Sequence, residues 1–419
     1  MKKIKTTILI IFLCVFVCVG LNPYPIDGYS LTNIRRLLRL QLIIDGKIKD
    51  TKPIEGALKS IKDIKLNLLG ARGDSLAIIP PPEANLQKSI NSLFPNLHES
   101  YSIAVLDITP GRKIRYAQRQ QDRGFPPGSV GKLAILAGLF TELQRLYPDS
   151  FEKRQQLLKS TFVKAGPWAI TNVHTVPFFN PETKEFFKRT VQEQDVFSLY
   201  EWTDHMVSVS SNAAASIVWR EVVLMRALGN EYPVSEEQAK NFFATTSKSE
   251  LTAIAISVVN DPLRELGITE NDWRLGSFFT REAKKLISGS GGSVATPYGL
   301  MQYLIAMERG KIVDKESSLE IKRLLYMTDR RIRYASSSAL TDAAVYFKSG
   351  SLYKCKPEEG FECKKYAGNV ENYMNSVVIV EHPDATTYMV ALMSNVLRKN
   401  SNIDHMTIAT QIDRIIRKK

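Results

Sequence analysis

The chain has 419 residues, 44% hydrophobic and 24% charged, an ordinary globular composition that excludes a disordered or fibrous protein and allows one large domain or two. The formal net charge of +13 suits an anionic cell-envelope surface or nucleic acid. The basic residues are scattered, however, with no zinc-finger spacing and no RNA-binding aromatic pattern, so no nucleic-acid partner is expected.

Three lysines within Met1 to Lys5 precede "TILIIFLCVFVCVG" (Thr7 to Gly20), an apolar run shorter than a bilayer-spanning helix needs. This pattern is a secretion signal, residues 1–20, with cleavage expected after Gly20. Two alternatives stay open: a lipoprotein modified at Cys18, against which the bulk of Val17 counts, and an uncleaved anchor. Export to the periplasm or cell envelope of a bacterium follows, together with association of the basic chain with that anionic envelope or, more plainly, a solvated basic surface.

Residues 21–85 are expected to form an N-terminal extension. "SLTNIRRLLRLQLII" alternates charged and apolar residues at helical spacing. Pro80 to Pro82 then fix the backbone extended and remove three donors, marking a boundary. The domain that follows is read as residues 86–419. "EANLQKSINSLF" predicts a helix, and "YSIAVLDI" and "KIRYAQ" predict two strands around the turn Thr109-Pro110-Gly111. From about Gly128 to Ser293 helical patterns dominate. Strand signals return in "AAVYFKSGSLY", "SVVIVEH" and "TTYMVALMS", before the amphipathic "IDHMTIATQIDRIIRKK". The fold class is therefore α+β, an antiparallel sheet drawn from both chain ends with flanking helices and an inserted helical lobe.

Once Cys14 and Cys18 leave with the signal, only Cys355 and Cys363 remain, in "KCKPEEGFECKK". Flanking Pro357 and Gly360, they read as a disulfide across a hairpin loop in an oxidising compartment. A zinc site competes but lacks two further ligands nearby. The five histidines, His98, His174, His205, His382 and His405, show no HxH or HxxxH spacing, so no metal and no cofactor is expected.

Chemistry is concentrated in three places. "FPPGSVGKLAIL" puts Ser129 and Lys132 one turn apart at the start of an apolar helix. A lysine there can act as base toward the serine, whose backbone N–H groups face developing negative charge. The S-x-x-K spacing alone is weak, since it recurs at Ser150/Lys153, where Ser150 reads as a helix cap, and at Ser351/Lys354. "MVSVSSNAAASIVW" adds Ser210, Ser211 and Asn212, and "VYFKSGSL" adds Lys348, Ser349 and Gly350 on an apolar strand. Polar groups in such apolar surroundings need a shared site.

In this order the three motifs resemble those of the penicillin-recognising serine hydrolases, most closely the class A β-lactamases, with S-x-x-K, S-D-N and K-[ST]-G. The resemblance runs from about Leu86 to the C-terminus and implies the β-lactamase/transpeptidase-like fold. By the same resemblance Ser129 is the acylated nucleophile and Lys132 its proton partner. Ser210 relays a proton to the leaving nitrogen, Asn212 holds the substrate amide, Lys348 supplies positive potential, and Ser349 and Gly350 help to bind substrate. The N–H groups of Ser129 and Ser351 form the oxyanion hole. Two departures stand out. Ser211 replaces an aspartate, and the family's E-x-x-L-N loop, whose glutamate directs the deacylating water, is not visible. Glu282, in "FTREAKKL", is the one candidate base, with an exposed helix glutamate as its ordinary explanation. The resemblance implies a secreted serine hydrolase that takes a small-molecule β-lactam through an acyl-enzyme. The alternatives are a D,D-peptidase-like enzyme acting on peptidoglycan stem peptides and a non-catalytic envelope binding protein, the last opposed by the intact Ser129, Lys132, Ser210 and Lys348.

Overall fold

A computed structural model describes residues 26–170, 173–326 and 331–418; the signal segment and its two cysteines lie outside them. Strands β1 (Ser102–Asp107), β2 (Arg115–Arg119), β3 (Ala344–Lys354), β4 (Glu371–Glu381) and β5 (Thr387–Asn395) form one antiparallel sheet in the order β2-β1-β5-β4-β3. The two chain ends interleave, with Ser102 opposite Met393 and Asp107 opposite Tyr388.

Alternation along these strands sends residues to two cores. Ile103 and Val105 of β1 join Val390 and Leu392 of β5 against the N-terminal helix α1 (Ala84–Asn91) and the C-terminal helix α2 (Asn402–Arg417). Ala104 and Leu106, with Met389, Ala391 and Met393, face the helical lobe. Both faces are covered, which is why the central strands read as near-continuous apolar runs.

The lobe is not wholly helical. Between its helices lie a hairpin of Thr175–Phe179 with Phe186–Thr190 and two shorter strand pairs, Phe162–Lys164 with Val196–Ser198 and Trp273–Arg274 with Val294–Ala295. The hairpin's turn is held by Asn180, whose side-chain oxygen accepts from the N–H groups of Glu182 and Thr183. Five residues per strand are too few for a period-2 pattern to stand out from helical neighbours.

Residues before Pro80 pack into the body. Ile34, Leu37, Ile64, Leu68 and Leu76 belong to the lobe-side core. Arg35 and Arg36 bind Glu201 and Asp204 on the helix Leu199–Val207. Farther along, Lys59 and Asn67 reach Glu381 of β4. The triple proline breaks the secondary structure without separating the core.

Candidate active site

The turn Phe125 to Gly131 brings the serine to the sheet. Asn375 of β4 donates to the carbonyls of Pro126 and Pro127 at 3.0 and 3.1 Å, fixing the chain just before Ser129. Gly128 has φ +53, and a Cβ there would lie 2.8 Å from the Ser351 nitrogen. A Cβ on Gly350 would lie 2.2 Å from the Pro127 carbonyl oxygen. Two glycines thus let the serine turn press against the backbone of β3, the edge strand of the sheet. Ser129 lies in a 3₁₀ turn, and Lys132 opens the α-helix Lys132–Leu146, so the two occupy one face at the helix start.

Lys132 is fully buried, and its Nζ lies 2.6 Å from the Ser210 carbonyl, 2.8 Å from Asn212 Oδ1 and 3.1 Å from Ser129 Oγ. Burial, reinforced by the Lys348 ammonium, holds its pKa well below the ordinary 10.5. A neutral amine has two N–H donors and a lone pair. In that neutral form the two shortest contacts would take the donors and leave the lone pair for the Ser129 hydroxyl. From the other side Lys348 Nζ donates to Ser210 Oγ at 2.7 Å, and Ser210 Oγ stands 3.4 Å from Lys132. Burial, with Arg333 nearby, pushes Lys348 down to about 7. The result is an unbroken path from Ser129 through Lys132 and Ser210 to Lys348.

Local structure supports this path. Ser210 sits at φ +60, a region a side chain enters at a cost and which tertiary contacts must hold. Ser211, standing where the S-D-N pattern has aspartate, caps the helix Asn212–Leu228 by accepting from the Ala214 N–H at 3.2 Å. A hydroxyl does this as well as a carboxylate and leaves no buried charge.

Around these groups lies a cleft of about 540 Å³, lined among others by Ser129, Ser210, Asn212, Lys348, Ser349, Gly350 and Ser351. Glu282 is not among its lining residues. Its carboxylate lies 2.9 Å from Lys285 Nζ and 3.2 Å from Arg281 Nε, partners that hold it below the usual carboxylate range. The Phe279 ring packs against Lys132, with its centroid 4.9 Å from Nζ. Among the described residues, no carboxylate hydrogen-bonds Lys132, and no group of three or more His, Cys, Asp or Glu is placed to hold a metal. Sequence reasoning missed Asn375, Phe279 and three further cleft residues, Arg333, Lys365 and Tyr366. None stands in a motif; only the fold brings them to the serine.

A sequence model of the β-lactamase enzyme family matches residues 85–418. The chain belongs to that family. Membership makes this β-lactamase family protein a serine β-lactamase-type hydrolase by class. Its fold is similar to that of a class A β-lactamase from Bacteroides cellulosilyticus, at 16% identity and TM-score 0.51, covering 80% of this chain and 97% of that one. TLA-3 extended-spectrum β-lactamase is similar at 15% identity and TM-score 0.51, covering 80% and 98%. PBP-A is similar at 14% identity and TM-score 0.50, covering 81% and 97%. These structures share its β-lactamase/transpeptidase-like fold. No curated protein matches the chain by sequence.

Proposed function

We propose that the protein acylates itself at Ser129 with a β-lactam and releases the product by hydrolysis. The observation that carries this reading is the Lys132 amine, 3.1 Å from the Ser129 hydroxyl and buried so that its pKa is lowered toward the neutral form a base needs. Lys132 takes the serine proton as Oγ attacks the lactam carbonyl. The carbonyl oxygen, now negative, is received by the N–H groups of Ser129 and Ser351. Ser210, poised between Lys132 and Lys348, passes a proton to the departing nitrogen. Asn212 orients the substrate amide, and Lys348, Ser349 and Gly350 receive the substrate carboxylate. Incubation with a penicillin followed by intact-mass measurement and peptide mapping tests this. An adduct on Ser129 is expected; an adduct elsewhere, or none at saturation, refutes it.

A second reading, a D,D-peptidase-like enzyme acting on peptidoglycan stem peptides, is favoured by one observation. Phe279 packs against Lys132, and among the described residues no carboxylate hydrogen-bonds that amine. Acylation has its base, whereas the water that must cleave the ester has no evident one. A long-lived penicillin adduct with turnover of stem-peptide analogues supports this reading; fast penicillin turnover supports the first.

The proposed organisation is a cleaved leader (1–20), an N-terminal extension (21–85) and the catalytic domain (86–419), the last supported by the start of the family match at residue 85. Export into a bacterial envelope is supported by the Cys355–Cys363 disulfide and by the apolar leader.

A further inference from the structure

Among the described residues, five cationic or imidazole side chains line the cleft, His174, Lys188, Arg333, Lys348 and Lys365, and no aspartate or glutamate does. Lys348 is accounted for by the first carboxylate of the substrate. Among the described residues neither Arg333 nor Lys365 is seen in an ion pair: Arg333 meets the Gly350 carbonyl, Asn402 and the Tyr366 ring, and Lys365 meets that same ring. Arg333 is only 4% exposed; it donates to the Gly350 carbonyl at 2.6 Å and to Asn402 Oδ1 at 3.2 Å. Lys365 is exposed at the mouth of the cleft. Tyr366 contacts both cations, its ring centroid 5.1 Å from the Arg333 guanidinium and 5.2 Å from the Lys365 amine.

The direction of the edge strand orders these charges. Lys348 and Ser349 come first along β3, then Ser351, the oxyanion donor in the proposed reaction, then Tyr353. Tyr353 packs edge-on against Tyr366 with centroids 5.9 Å apart, so the 355–370 loop folds back onto the far end of the strand. At about 3.3 Å per residue, Ser349 and Tyr353 are roughly 13 Å apart. One positive pole precedes the reacting carbonyl and another follows it. A substrate laid along β3, with its leaving side at Lys348, carries its acyl arm to Lys365.

We propose that the cleft selects acyl donors with two anionic groups, a carboxylate on the leaving side and a second carboxylate on the acyl arm that docks at Lys365 and Tyr366. This inference rests on the Ser129 acyl-enzyme reading and adds its substrate class. Lys365 touches none of the reacting groups, so it sets specificity and leaves the chemistry to Ser129 and Lys132.

The test compares a penicillin bearing a carboxylate on its acyl arm with the isosteric carboxamide, using the full chain, wild type and Lys365→Glu. Second-order acylation rates are read by mass spectrometry. One exposed ion pair is worth severalfold and reversing its sign widens the swing, so Lys365→Glu is expected to cut the dianion-to-monoanion rate ratio about tenfold. The carboxamide rate should change less than about threefold, and the wild-type preference should shrink between roughly 0.02 M and 0.5 M salt. A ratio near one in wild type, or one unchanged in Lys365→Glu, overturns the proposal while leaving Ser129 acylation intact. No adduct from either compound overturns the acyl-enzyme reading and this proposal with it.

Discussion

The Arg36 guanidinium meets the Asp204 carboxylate through two hydrogen bonds of 2.5 Å, both side chains nearly inaccessible to water. Asp204 lies on the helix that leads into Ser210 and Asn212, so this pair ties the N-terminal segment to one wall of the cleft. Removing one partner of a buried pair leaves the other charge uncompensated, a loss of about 3 to 5 kcal/mol. We expect Arg36→Ala to lower the urea midpoint accordingly, and Arg36→Met with Asp204→Leu to recover most of the loss. A midpoint unchanged in Arg36→Ala contradicts this account.

Lys348 carries a measurable signature in stability. Its folded-state pKa of about 7 lies below the ordinary 10.5, so between these values the unfolded chain binds more protons than the folded one. Stability from this group therefore rises with pH across that window, and the cost of a buried ammonium is fully present below it. We expect Lys348→Met to be more stable than wild type at pH 6, with the difference shrinking toward pH 10, while acylation slows roughly 10²-fold. Urea titrations at several pH values check the first part, and a flat difference between the two proteins refutes it.

Phe279 offers a gain-of-function test. Phe279→Glu sets a carboxylate beside Lys132, where the opposite charge favours the protonated amine and so slows acylation at neutral pH. The same carboxylate can activate water, a contribution typically of about 10²-fold or more. Stopped mixing with a penicillin should show a smaller burst and a shorter adduct lifetime. An adduct that persists as long as in wild type refutes this expectation.

Glu282→Gln should change neither burst nor steady state by more than about twofold, because its carboxylate is engaged on the surface with Lys285 and Arg281. A lengthened adduct lifetime in this variant would restore it as a base.

The sheet and the three motifs were legible for a common reason. Strands such as "SVVIVEH" and the polar groups of Ser129, Ser210 and Lys348 stand out against apolar neighbours, and those neighbours are buried. The remainder depends on contacts distant in sequence. Nothing local in "SLTNIRRLLRLQLII" indicates that Arg35 and Arg36 answer Glu201 and Asp204, and the charged helix reads equally well as a solvated one. Phe279 looks like an ordinary core aromatic until the fold places it over an amine. Glu282 is the opposite case: its place before "ATPYGLMQYL" is suggestive, but its carboxylate is engaged by Arg281 and Lys285 of its own short helix, a local pairing already spelled out in "FTREAKKL".

The interleaved sheet also governs when the protein can act during its own production. Ser129 is made early, but β1 has no inner neighbour until Met393 and its strand exist, and Lys348 reaches Ser210 only when β3 is held by β4. Contacts of such long sequence separation form late and slowly. A chain still in synthesis therefore lacks the assembled cluster of Ser129, Lys132, Ser210 and Lys348 until its last strands are made. The site is completed only with the last strand.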